Sequence, residues 1–215
     1  MKVELIESAG GDLSIVNSAR VSFAKEVAEI DGRDEKLINY LAKHRHDTPF
    51  RHNFIQLRCS VPLFLARQLM KHQAGLTWNE VSRRYVDDAP EFYYPEEWRE
   101  RPQGGIKQGS GTAHPNNFNW QESHNEHVQK SLTLYAAMIE DQVAPEMARM
   151  VLPQSMMVDF IWSGNLLAFF HVYDLRSGAG AQVEAQEFAS MLSEAIEPAF
   201  PIGWWALKER AANGL

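Results

Sequence analysis

Apolar and polar positions alternate over residues 3–7, which predicts a short opening strand. Asp12 to Ala28 reads as mainly helical, and Asp34 to Lys43 is a clearer helix with Leu37, Ile38, Leu41 and Ala42 on one face. Thr48-Pro49-Phe50 predicts a turn, after which alternation returns from Ile55 to Val61 as a second strand. Pro62 suits the first residue of a helix reaching about Gln73. On that helix Gln68 and His72 would stand four apart, with Lys71 three on from Gln68, along a polar edge. Periodicity fails from Asp87 to Asn117, where Pro90, Pro95, Pro102 and Pro115 and Gly104, Gly105, Gly109 and Gly111 interrupt the chain. So long a loop in a compact domain is usually functional or disordered. Further helices are predicted from about Phe118 to Gln142, between Pro145 and Pro153, from Asn165 to Arg176 and from Ala181 to Ile196, with a strand-like stretch from Gln154 to Trp162. No repeat or internal boundary breaks the pattern, so residues 1–215 read as one domain containing a long loop region at 87–117.

Composition narrows the class. A content of 45% hydrophobic and 23% charged residues is that of a soluble globular protein. A formal charge of −7 argues against duplex binding, which calls for a basic footprint. No run approaches the roughly 18–20 apolar residues of a membrane span, and the N-terminus lacks a signal peptide's apolar stretch. The single cysteine, Cys59, excludes an intrachain disulfide and fits a reducing compartment. It falls on a predicted strand with no activating base beside it, so a buried structural role is expected. These features point to a cytoplasmic protein with neither nucleic-acid nor membrane partners.

The densest chemistry lies in Lys71-His72-Gln73-Ala74-Gly75-Leu76-Thr77-Trp78-Asn79-Glu80-Val81-Ser82-Arg83-Arg84-Tyr85. Its plainest reading is a helix end followed by a solvated, charge-rich loop. Yet amide, carboxylate, hydroxyl and guanidinium groups at Asn79, Glu80, Ser82 and Arg84 also suit a phosphorylated small molecule, since Arg grips phosphate bidentately. On an unbroken helix, Asn165 and Arg176 would reach nearly the same face; a core helix ending in a solvated Arg is the plainer alternative. Arg149, in an apolar segment between Pro145 and Pro153, needs an anion, and an intrachain carboxylate is the commoner answer. Of the histidines at 44, 46, 52, 72, 114, 124, 127 and 171, His124 and His127 sit three apart. No His-Glu-x-x-His or Cys-x-x-Cys accompanies them, so surface histidines and no metal site are expected. Nor do the glycines at 104–111 form a phosphate-binding loop, because no Gly-Lys-Ser/Thr follows.

In this order, Arg20-Val21-Ser22-Phe23, His46-Asp47-Thr48-Pro49-Phe50-Arg51-His52, Ala66-Arg67-Gln68, the Lys71–Tyr85 segment and Glu91-Phe92-Tyr93-Tyr94-Pro95 form a set. Ala148-Arg149-Met150-Val151-Leu152-Pro153, Trp162-Ser163-Gly164-Asn165 and Leu175-Arg176-Ser177 with Ala181-Gln182 complete it. The ordered set, from about Ser18 to Trp205, resembles the flavin-dependent thymidylate synthases (the ThyX family). The resemblance implies an α+β fold with a central, mainly antiparallel sheet flanked by helices. It also implies methylation of dUMP to dTMP, with methylenetetrahydrofolate as carbon donor, FAD as hydride carrier and NADPH as reductant. By the same resemblance Thr48, Lys71, His72, Gln73, Glu80, Asn165 and His171 would contact FAD, with Ser22 and His46 near it. Gln68, Ser82, Arg83, Arg84 and Arg149 would hold dUMP. Arg176 would be catalytic, stabilising the N3-deprotonated uracil so that C5 attacks a one-carbon unit. A homotetramer with sites shared between subunits is implied as well.

The chain departs from the family pattern at several positions. Lys71 and Gln73 replace arginines, Thr77 replaces a serine, one extra residue lies within Ala74-Gly75-Leu76, and Leu167 stands where an arginine is common. Lysine lacks arginine's planar fork and glutamine carries no charge, so weaker or rearranged FAD binding is expected. Two alternatives follow from the altered signature. One is a same-fold enzyme that hydroxymethylates or takes another pyrimidine nucleotide; the other is a non-catalytic nucleotide-binding paralogue.

Overall fold

The computed structural model describes residues 1–104 and 109–213; Gly105 of the expected loop region lies outside the described residues. Four antiparallel strands form one sheet in the order β1-β2-β4-β3, from Lys2–Ala9 (β1), Phe54–Pro62 (β2), Leu76–Glu80 (β3) and Met157–Gly164 (β4). Strict alternation on β2 puts Ile55, Leu57, Cys59 and Val61 on the covered face, all at 0% exposure. Val158, Phe160 and Trp162 of β4 continue that face, and Trp78 of β3 stacks on Phe160 with ring centroids 3.4 Å apart.

Eight helices accompany the sheet among the described residues: Gly11–Arg20 (α1), Gly32–Lys43 (α2), Leu63–Leu69 (α3), Asn117–Glu140 (α4), Pro145–Ala148 (α5), Leu166–Ser177 (α6), Val183–Ile196 (α7) and Pro201–Ala212 (α8). The apolar run Leu166-Leu167-Ala168-Phe169-Phe170 makes α6 the central core helix, buried on every side at its N-terminal end. Helices α7 and α8 pack beside it, and Trp204 and Phe188 complete the core. The fold is the expected α+β arrangement.

Several boundaries differ from the sequence pattern for physical reasons. The first helix stops at Arg20 rather than Ala28, because Ala24 turns left-handed and the Asn17 side chain clamps both Val27 N–H and Val27 C=O (2.9 and 3.0 Å). Pro62 closes β2 and caps α3 instead of opening a long helix, and α3 ends at Leu69. His72 is therefore not on a helix with Gln68 but in the turn beyond it. Gln154 to Met156 is a turn whose Gln154 and Met156 carbonyls accept from Phe64 and Leu63 N–H, and β4 begins only at Met157. Two elements do not follow from the sequence pattern, strand β3 within the charge-rich segment and helix α8. The latter starts on Pro201 with no side-chain cap of its own; instead Asp12 accepts from Ile202 N–H and Gly203 N–H, both at 2.8 Å.

Tight backbone contact fixes β3 against β4. Gly75 takes a φ of 76°, and a Cβ on Gly164 would lie 2.5 Å from the Gly75 carbonyl oxygen and 2.6 Å from Leu76 Cδ2. Gly164→Ala is thus expected to destabilise the protein by about 1–3 kcal/mol through overpacking, seen as a lower Tm, and to displace the 71–75 turn.

Candidate active site

Most of the residues singled out in the sequence lie toward one or the other end of β3, in two groups. The first surrounds the C-terminal ends of α3 and α6. Arg176 Nε donates to His72 Nε2 at 3.1 Å, and an Arg176 terminal nitrogen donates at 3.1 Å to the Gln68 carbonyl at the end of α3, which also accepts from Lys71 N–H at 3.4 Å. A guanidinium has five N–H donors, so this fixed, half-buried cation retains donors for a ligand. Burial draws the Arg176 pKa down, from an ordinary value so far above neutrality that the cation persists. The Gln68 side chain is itself engaged, donating from Nε2 to Gln182 Oε1 at 2.6 Å.

Desolvation, then the Arg176 cation, then His171 all lower the His72 pKa, which keeps the imidazole neutral and able to accept from Arg176. His171 adjoins Asp47, Arg51 and Arg210, and its pKa too is lowered, chiefly by desolvation. Arg210, with a side chain only 6% exposed, donates to Asp47 Oδ1 at 2.6 Å and lies 5.0 Å over the Phe170 ring. That pair anchors the segment carrying His46 and Thr48, both exposed; His46 also lies 5.9 Å from the Tyr40 ring.

Exposed Lys71 and Gln73 follow in the turn, and the chain there closes on Asn165: a Cβ on Gly75 would lie 3.0 Å from Asn165 Nδ2. Asn165 Oδ1 caps α6 by accepting from Ala168 N–H at 2.9 Å. Asn165 and Arg176 share a helical face only in projection, since eleven residues separate them by about 16 Å along the axis. Leu167 is 1% exposed, a core residue rather than a surface neighbour of this turn.

The second cluster lies at the other end of β3, about 14 Å from Leu76 at strand rise. Desolvation raises the Glu80 pKa, opposed by the Trp78 indole N–H, which donates to Oε2 at 3.3 Å, and by the Arg149 cation. Arg149 is exposed and makes no ion pair among the described residues; its Nε donates to the Glu146 carbonyl at 3.2 Å. The intrachain partner expected for it is therefore not found, which leaves the guanidinium for an anion from elsewhere. Ser82 Oγ accepts from Arg84 N–H and Nε–H at 3.3 and 3.4 Å. Arg83 is committed to Asp88, donating to its carboxylate at 2.8 Å. Ser22 stands apart from both clusters, exposed in the turn after α1.

Cys59 is buried as its place on β2 predicts, and its thiol is pushed up to about 12 by desolvation, which removes it as a nucleophile. His124, by contrast, is half-buried rather than a surface histidine, with Nε2 3.1 Å from Ser155 Oγ. Among the described residues no group of three His, Cys, Asp or Glu is placed to hold a metal, and no helix is long and apolar enough to cross a membrane.

Residues 4–202 match the profile of the family described as thymidylate synthase complementing protein. The chain is 33% identical to a flavin-dependent thymidylate synthase of Kosmotoga olearia, over 99% of this chain and 92% of the relative. The chain belongs to the flavin-dependent thymidylate synthase family. A second family member, from Thermus thermophilus, is 32% identical over 99% of this chain and 77% of its own length. Among solved structures, the UMP/dUMP methylase PolB of Streptomyces cacaoi, bound with 5-Br dUMP, superposes with a TM-score of 0.86 at 29% identity, covering 97% of this chain and 94% of PolB.

The depressed histidine pKa values carry a stability signature for this family member. His72, His124 and His171 all sit below the ordinary 6.5 when folded. The unfolded chain then binds more protons, so the stability they lend is complete above about pH 6.5 and falls as pH drops through the folded values. Tm measured from pH 8 to pH 5 is expected to decline below about pH 6.5, and His72→Gln should make the decline shallower.

Proposed function

We propose that the chain methylates dUMP to dTMP, taking its carbon from methylenetetrahydrofolate and its reducing equivalents from NADPH through FAD. The observation that carries this reading is Arg176, a partly desolvated cation held by two hydrogen bonds with further N–H donors free. Uracil binding beside it would place that charge where N3 deprotonation develops anionic character, raising electron density at C5 without a cysteine nucleophile. Neutral His72 holds the guanidinium in place and does not compete for its remaining donors.

Glu80, Ser82, Arg84 and Arg149 supply a carboxylate, a hydroxyl and two exposed cations, a set suited to the sugar and phosphate of a nucleotide. Arg83, tied to Asp88, contributes less directly than its position suggests. Toward FAD, Thr48, Lys71, His72, Gln73, Asn165 and His171 supply hydroxyl, ammonium, imidazole and amide groups, with the nearby Asp47 carboxylate taken up by Arg210, while Glu80 of the same expected set stands at the other end of β3; Ser22 and His46 are outer members. Bound FAD would supply hydride transfer. With Lys71 and Gln73 in that turn and Leu167 in the core, its phosphates meet fewer guanidinium groups, which favours modest affinity.

The separation of the two clusters along β3 supports completion of each site by a second copy, in a homotetramer. Met70, Val81, Tyr85, Met150 and Leu175, each next in sequence or within two residues of a cluster member, stand exposed, and only Val128, Ser131 and Tyr135 of the long α4 are buried. A cytoplasmic setting accords with the buried free thiol and with these soluble substrates.

Calorimetric titration of the FAD-loaded protein with dUMP and separately with UMP tests the substrate assignment. Saturable dUMP binding that Arg149→Ala weakens is expected; binding of neither nucleotide contradicts the proposal. UMP is the informative competitor because PolB is described as a UMP/dUMP methylase.

A further inference from the structure

Glu184 is a charged side chain that belongs to neither cluster. It is 3% exposed, at the second position of α7, where a carboxylate out of water needs donors around it. Arg99 donates to its Oε1 at 2.5 Å, and the Gln182 side-chain amide is a second, looser donor to the carboxylate. Desolvation works to raise its pKa, but Arg99, its own backbone N–H and Gln182 outweigh that and hold it below the ordinary value. Glu184 is therefore ionised and can only accept.

A side-chain amide has one oxygen and one NH2, so each link of such a chain fixes the next. With its NH2 toward Glu184, Gln182 turns Oε1 toward Gln68, and Gln68 Nε2 donates to that oxygen at 2.6 Å. Gln68 is half-buried and keeps Oε1 free as an acceptor, on the same residue whose backbone carbonyl holds Arg176. We propose that Glu184 is a positioning residue of the nucleotide site: its carboxylate orients Gln182, Gln182 orients Gln68, and Gln68 offers Oε1 as an acceptor to a hydroxyl or N–H of the bound nucleotide. The inference deepens the proposed function and rests on it for Gln68 as a contact of dUMP. The donors dUMP can present are its sugar hydroxyl and its uracil N–H; its phosphate accepts and is left to the cations.

Glu184→Gln tests the relay, because it is isosteric yet reverses the polarity. The introduced amide can still accept from Arg99, so the loop carrying Arg99 stays fastened, but it now donates to Gln182. Gln182 then accepts there, donates to Gln68, and leaves Gln68 presenting NH2 where Oε1 stood. The exchange variant, Glu184→Gln with Gln182→Glu, restores the original order, since a carboxylate at position 182 again accepts from Gln68 Nε2.

The FAD-loaded wild-type, Glu184→Gln and exchange proteins would be titrated with dUMP in a calorimeter, with Tm recorded for each. Glu184→Gln should weaken dUMP about five- to tenfold, the loss of one hydrogen bond, and the exchange variant should return to wild-type affinity. A merely structural role for Glu184 predicts no such recovery, because the exchange does not rebuild the Arg99–Glu184 ion pair. With 2′,3′-dideoxyuridine monophosphate the Glu184→Gln penalty vanishes if the donor is the sugar hydroxyl and persists if it is the uracil N–H. Unchanged dUMP affinity in Glu184→Gln, or no recovery in the exchange variant, overturns this inference alone. Wild-type protein that binds no dUMP overturns the nucleotide reading and the inference with it.

Discussion

Arg176→Ala is expected to lower kcat by about 10²–10³-fold, the scale of losing one preorganised charge stabiliser, with little change in Tm. The guanidinium is held from two sides, by His72 Nε2 and by the Gln68 carbonyl, so its position is set before any ligand arrives. Removing it leaves His72 and the end of α3 accessible to water, which limits the structural damage. Arg176→Lys should restore little of the activity, because one ammonium cannot reach both partners and still present a planar donor edge to a pyrimidine. Steady-state kinetics at saturating dUMP separate this from a binding defect: a rise in KM alone, with kcat intact, would assign Arg176 to binding only.

Asp47→Ala carries the second large effect. Arg210 is 7% exposed and its one carboxylate partner among the described residues is Asp47. Deleting one member of a buried pair strands the other charge and costs about 3–5 kcal/mol; the 30% exposure of the Asp47 side chain places the expected loss near the lower figure. Urea unfolding would read it as a shift in midpoint without a change in slope. Because Asp47 lies between His46 and Thr48, flavin retention should fall as well. Asp47→Asn, which keeps an acceptor, should lose less of both.

Periodicity made β2 and α2 legible, because each buries one regular face, while the unbroken apolar run of α6 and the alternation of β1, where Val3 and Leu5 are half-buried, likewise needed nothing distant to define them. Helix α8 was hidden for the opposite reason: its N-terminal N–H groups are met by Asp12, from the far end of the chain, so no local cap signals its start. Strand β3 does alternate, with Leu76, Trp78 and Glu80 on one face, but five residues ending in a charge read equally well as a loop until β4 supplies its partner. The premature end of α3 was beyond a local window too, since Arg176 and the Gly75 turn, rather than a breaker at Met70, shape it.

Site residues could be named from ordered motifs, but their grouping required coordinates. Sequence spacing put Lys71, Glu80 and Arg84 in a single segment, and the extended β3 separates its two ends. The Asp47–Arg210 pair spans 163 positions and the Arg99–Glu184 pair joins a loop to α7, so neither leaves a trace in local pattern.

The central claim is the reaction itself, and the mass of the recovered nucleotide tests it most directly. The protein would be incubated with dUMP, methylenetetrahydrofolate, NADPH and excess FAD, and the nucleotide recovered for mass spectrometry. A gain of one methyl group, absent in Arg176→Ala, is the predicted result. Recovery of unchanged dUMP, or of a hydroxymethylated product, from well-folded flavin-loaded protein would contradict it.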